Sequence, residues 1–187
     1  MKSVSDAVSV NLPVSSLSDW EKTMKDRVPL YGHRNWVVVA DSAYPAQARG
    51  GIETIVTGAD QPAVLERVVA TLRASRHVKP AVYTDQELKF VAEQDAPGIS
   101  AYRDRLANLL EGFTSKALPH EEIISRLDRA GQTFRVLVIK TNLTIPYTSV
   151  FFELDCAYWN TAAENRLRLA MRNLNRKRRP KGARKVR

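Results

Sequence analysis

Residues 32–41 read Gly32-His33-Arg34-Asn35-Trp36-Val37-Val38-Val39-Ala40-Asp41, and the fold follows from this stretch. The run Trp36 to Ala40 is short, apolar and rich in β-branched side chains, with a glycine turn before it and an aspartate after it. Such a run is expected to be a strand buried on both faces. It places two titratable side chains, His33 and Asp41, at opposite ends of one strand. Strand residues rise by about 3.3 Å each, so the two are too far apart to touch within one chain. They could still line one pocket, for example across a subunit boundary.

Outward from this strand, helical and strand patterns alternate. Ser18 and Glu21 form a capping-box pair ahead of Trp20, Met24 and Val28, whose helical spacing ends at Pro29. After Pro45, Gly50 and Gly51 a second strand is expected at Ile52–Val56. Asp60 and Pro62 then open a helix whose apolar stripe is Val64, Leu65, Val68, Val69 and Leu72. A short strand is expected at Ala81–Tyr83, and Thr84 with Glu87 predicts a capped helix after it. Further helices are expected over 99–110 and 119–130, and strands over 134–139 and 150–154. Thr161 with Glu164 predicts a last helix, with Leu167, Leu169, Ala170 and Leu174 facing neighbours. Strands separated by helices of this length need crossover connections, so the fold class is α/β.

At 187 residues and 44% hydrophobic, the chain suits one core. The expected organisation is a loosely ordered N-terminus over 1–15, one domain over 16–171 and a polybasic tail over 172–187. The net charge of +9 belongs to that tail, which holds nine of the 29 Lys and Arg residues and no acid. The rest of the chain is balanced, so the basic character predicts at most nonspecific attraction of the tail to nucleic acid or an anionic surface. No aromatic residue interleaves these cations, so base stacking is not indicated. There is no apolar run of about eighteen residues and no basic start followed by an apolar core, so neither a membrane span nor a secretion signal is expected. The expected location is the cytoplasm. The lone Cys156 forms no intrachain disulfide and is expected to be a buried thiol. His77, among basic residues after a helix, is expected to be solvated. No glycine-rich phosphate loop is present.

Gly32-His33 through Ala40-Asp41 to Pro45 resembles the signature of the RbsD/FucU family of D-ribose pyranases and L-fucose mutarotases. Two later segments agree in order: Pro119-His120-Glu121-Glu122, similar to a His-Glu segment of ribose pyranases, and Pro146-Tyr147-Thr148-Ser149-Val150, similar to the family's Pro-Tyr-x-Asn-(Val/Ile). The resemblance spans roughly 30–158. It implies a three-layer domain with a central, largely parallel or mixed sheet flanked by helices, and a homo-oligomeric ring, commonly a decamer, with sites shared between neighbouring chains.

It also implies a monosaccharide substrate and a cofactor-independent isomerase, with His33 as proton donor. Asp41 would be a hydroxyl-binding carboxylate, His120 a substrate contact, and Tyr147, Thr148 and Ser149 the segment that closes over the ring. Opening a hemiacetal moves one proton off the anomeric hydroxyl and one onto the ring oxygen, and a histidine suits that exchange near neutrality. Two positions depart from the pattern: Asn35 stands where the family has Asp, and Ser149 where it has Asn. The alternatives are a non-catalytic sugar-binding or regulatory relative, and a nucleic-acid-associated protein acting through the tail.

Overall fold

A computed structural model describes residues 18–178, with side chains to 174. Six strands form one mixed sheet: β1 (Trp36–Ala40), β2 (Ile52–Val56), β3 (Val78–Asp85), β4 (Ser115–Leu118), β5 (Val136–Lys140) and β6 (Val150–Cys156), in the order β2-β5-β1-β6-β3-β4. β1 and β2 each run parallel to β5, and β3 runs parallel to β4. β6 lies antiparallel between β1 and β3. Every residue of β1 is buried, as its uninterrupted apolar run requires of a strand covered on both faces.

The alternation of side chains divides β1 between two cores. Val37 and Val39 join Leu137, Ile139, Phe152 and the apolar sides of α1 (Asp19–Arg27), α2 (Gln61–Ala74) and α3 (Ile99–Leu109). Trp36, Val38 and Ala40 join Val136, Val138, Phe151, Tyr83 and the buried stripe Ile123 and Leu127 of α4 (His120–Gly131). Helices on both faces give the three-layer α/β architecture expected from the sequence.

Several local expectations differ from the structure. Residues 1–15, expected to be loosely ordered, lie outside the described residues. β3 is eight residues long, and β4 was not expected: Ser-Lys-Ala-Leu carries no alternation because it is an exposed edge strand. Thr84 belongs to β3, and only a 3-10 turn, Gln86–Phe90, follows it. Glu87 caps α4 instead, its carboxylate accepting the His120 backbone N–H at 3.1 Å. The imidazole Nε2 of His77 lies 2.9 Å from the Tyr31 carbonyl, so this residue is half-buried rather than solvated. Cys156 is likewise half-exposed.

The last helix, α5 (Thr161–Arg178), runs through the start of the expected tail. Leu167, Leu169 and Leu174 are exposed in the single chain among the described residues. Among the described residues no helix is long and apolar enough to cross a membrane.

Candidate functional site

β1 and β3 end side by side around the start of β6, because Val39 and Thr84 both pair with Val150. Asp41, Asp85 and Ser149 therefore gather at one end of the three central strands. α4 begins over the same end, carrying His120 on its first residue.

Asp85 is fully buried and its Oδ1 lies 3.0 Å from His120 Nδ1. Its other oxygen, Oδ2, is buried without a hydrogen-bond partner. Burial pushes the Asp85 carboxyl up to about 6, against the opposing pull of the His120 hydrogen bond, while Glu87 and Asp41 add smaller upward contributions. A buried acceptor left unpaired is costly, and such a group in a native fold calls for an explanation. The His120 side chain is 31% exposed and stands edge-on to the Tyr147 ring, 5.6 Å between centroids. With Nδ1 held by Asp85, Nε2 is the nitrogen left to exchange a proton.

Asp41 is fixed twice: Oδ1 accepts the Ala43 N–H at 2.9 Å, and Oδ2 accepts the Ser149 hydroxyl at 3.2 Å. Tyr44 is buried beside them and donates its hydroxyl to Gln47 Oε1 at 3.0 Å. Burial, reinforced by Asp85 and Asp41, pushes its phenol far upward, so it stays a neutral donor.

The loop 145–149 is held from behind. Gln61, wholly buried on α2, donates Nε2 to the Thr148 carbonyl and to the Tyr102 hydroxyl, and Tyr102 donates to the same carbonyl at 2.7 Å. Thr141 closes this network by donating to Gln61 Oε1 at 3.0 Å. Thr148 is itself fully buried, with its hydroxyl donating to the Ile145 carbonyl at 2.8 Å. Its side chain therefore anchors the loop and offers a ligand no surface, contrary to the expected contact. Ser149 is 1% exposed and acts on the site through Asp41. Tyr147, at φ 57°, is the loop residue that reaches the surface, 39% exposed.

His33 lies elsewhere. It precedes β1, near the far end of β6, where the Arg34 N–H donates to the Leu154 carbonyl. Between it and Asp41 lies the whole of β1, five extended residues that alone span about 16 Å. The structure thus brings Asp41, His120, Tyr147 and Ser149 together and leaves His33 apart within the chain. His33 Nδ1 lies 2.7 Å from Asp155 Oδ1, and both side chains are more than half exposed. They line a cleft of about 680 Å³ between the end of the sheet and the first turns of α5.

Sequence reasoning missed Asp85, Tyr44, Gln61 and Asp155. Asp85 ends its strand as Asp41 ends β1, and that parallel was the available signal. Among the described residues no group of three or more His, Cys, Asp or Glu side chains could hold a metal ion.

The mixed, doubly covered sheet is an α/β fold similar to that of RbsD. RbsD of Bacillus subtilis, whose structure is a complex with D-ribose, superposes with a TM-score of 0.50 at 20% identity, over 71% of this chain and 91% of that one. The fucose mutarotase of Streptococcus pneumoniae, in complex with L-fucose, gives a TM-score of 0.47 at 18% identity, over 78% and 97%. FucU of Bifidobacterium longum gives 0.49 at 13%, over 72% and 94%. No protein-family model and no curated protein matches the sequence.

Proposed function

We propose that the protein is a cofactor-independent monosaccharide mutarotase or pyranase, interconverting ring forms or anomers of a ribose- or fucose-like sugar. The observation that carries this reading is the buried Asp85 holding His120 beside Asp41 and Tyr147. That arrangement supplies a positioned proton acceptor next to a fixed carboxylate and a surface phenol. The RbsD fold and the ordered resemblance of the Gly32–Pro45, Pro119–Glu122 and Pro146–Val150 segments support it.

His120 Nε2 takes the proton of the anomeric hydroxyl while a second acid protonates the ring oxygen. The C–O bond of the ring breaks and a carbonyl forms. Reclosure reverses these transfers with another hydroxyl, or on the other face of the carbonyl. Asp41 accepts hydrogen bonds from sugar hydroxyls, and Tyr147 closes over the ring. His33 is the proton donor, and because it sits at the far end of β1 it reaches this sugar only from a neighbouring copy. The working enzyme is accordingly a homo-oligomer, with the His33 end of one chain against the Asp41 end of the next.

Exchange NMR on D-ribose and L-fucose tests this reading. The protein is expected to accelerate the exchange of ring forms or anomers of at least one of them. If a folded oligomer leaves every such sugar at the solvent rate, catalysis is rejected. A sugar that protects the protein thermally without faster exchange would instead identify a sugar-binding relative.

A further inference from the structure

The cleft at the foot of α5 has the makings of a ligand site. Its volume, about 680 Å³, lies within the range of small-molecule pockets, which combine aromatic walls with a few fixed polar groups. Here the walls include Tyr158 and Trp159, and the polar groups include His33, Asp155 and Glu164. Trp159 is held in place: its indole N–H donates to Glu164 Oε2 at 2.8 Å, and Arg168 Nε donates to the other oxygen of that carboxylate at 2.6 Å. The indole is nonetheless 47% exposed. A rigid, accessible aromatic face matches the apolar C–H face of a pyranose, and it loses little side-chain entropy on binding.

The polar side of the cleft is organised as well. Asp155 Oδ1 accepts the neighbouring Cys156 N–H at 2.7 Å, which fixes the carboxylate against the His33 imidazole. Asn35, which stands where the resembling family has Asp, is engaged elsewhere. Its amide oxygen accepts the Gly32 N–H at 2.8 Å, and its amide nitrogen donates to the Arg135 carbonyl at 3.2 Å. In this chain the turn is held by the neutral amide at 35, and the carboxylate beside the imidazole comes from the adjacent strand β6.

We propose that this cleft is a monosaccharide subsite in which Trp159 is the stacking platform and Asp155 is a positioning residue that orients His33. The proposal rests on the reading of the protein as a sugar isomerase. With Nδ1 bound to Asp155, His33 presents Nε2 to the sugar oxygen. Both residues lie where a neighbouring copy would have to dock for His33 to serve the Asp41 end.

The test uses the full-length protein with D-ribose and L-fucose as probes, and the variants W159A, W159F, D155N and D155E. Trp159 and Asp155 are surface residues, so these changes leave the core intact. W159A is expected to raise KM about tenfold with kcat within about twofold, and W159F to keep most of the affinity. D155N is expected to lower kcat about tenfold at unchanged KM and to mix the His33 tautomers seen in imidazole ¹⁵N spectra, while D155E restores part of the rate. The proposal is overturned if W159A leaves KM unmoved, or if D155N leaves both kcat and the tautomer signal unmoved, in a protein that H33A inactivates. If the wild type never accelerates exchange, the functional reading fails separately. A sugar-dependent change in tryptophan fluorescence that W159F abolishes would then still support the subsite, and its absence would overturn it.

Discussion

The two ends of the central strands carry the same pair of side chains in opposite settings. At the Asp41 end, the carboxylate of the His120–Asp85 pair is sealed in the core, with one oxygen unpartnered. At the other end, the His33–Asp155 pair is shorter, 2.7 Å against 3.0 Å, but stands open to solvent. The difference shows what the fold supplies on its own and what it leaves to be completed. The buried pair is positioned by β3 and the start of α4, which Glu87 caps, and the Gln61 network holds the loop that brings Tyr147 beside it. The open pair is positioned by one turn and the foot of α5. Arg34 and Tyr147, the non-glycine residues with positive φ among the described residues, fall one at each end. Backbone strain of this kind gathers at functional sites.

The largest expected effect separates chemistry from scaffolding. H33A, and H120N, which retains a polar neighbour for Asp85, should each lower kcat by about 10²- to 10⁴-fold in exchange NMR while leaving the fold unchanged by circular dichroism. If only one variant is impaired, the two ends do not act together.

Next in size is Gln61. Q61L removes one of the two donors to the Thr148 carbonyl and the acceptor that Gln61 offers Thr141, while Tyr102 and the Ala40 carbonyl still partner these groups, and should cost on the order of 1–3 kcal/mol in chemical denaturation. It should also raise KM, because the loop bearing Tyr147 loses part of its anchor. An unchanged KM would show that this network serves stability alone.

Asp85 gives a pH-dependent contrast. Its folded value near 6 lies above the roughly 4 of an unfolded aspartate, so across that interval the native state holds a proton the unfolded chain has released. Stability therefore falls as pH rises from about 4 through 6, and the full cost, on the order of 2–3 kcal/mol, persists above it. D85N should be more stable than the wild type at pH 8 and gain little at pH 4, while losing activity. The reverse pH dependence in denaturant titrations would contradict the burial argument.

The smallest effect is backbone relief at the open end. Arg34 at φ 74° with its guanidinium 5.6 Å over Phe134 suggests that R34G gains about 1 kcal/mol, the αL penalty outweighing a weak cation–π contact. A lower melting temperature would show that the side chain matters more than the strain.

Much of the fold was legible because its signals are local and strong. β1 is an unbroken apolar run, and α2 has Asp60 at its N-terminal boundary, its proline and an apolar stripe whose residues are all buried. Edge strand β4 was not legible, because exposure removes the alternation that marks a strand. The helix expected after Thr84 failed because Glu87 caps a helix distant in sequence, a choice only the tertiary fold makes. Asp41, His120 and Tyr147, named from ordered motifs, lie together at one end of the central strands. Asp85 and Asp155 were not so named, because each earns its place by reaching a histidine 35 and 122 residues away. The Thr148 side chain faces its own loop, which a motif cannot tell from one facing a ligand.

The most direct test is complementation between the inactive variants H33A and H120N, unfolded and refolded together, with sugar exchange followed by NMR. If one chain's His33 serves the next chain's Asp41 end, random mixing of heterologous interfaces should restore about a quarter of wild-type activity. A mixture that forms the same oligomer yet stays as inactive as either parent would contradict a site built from both ends.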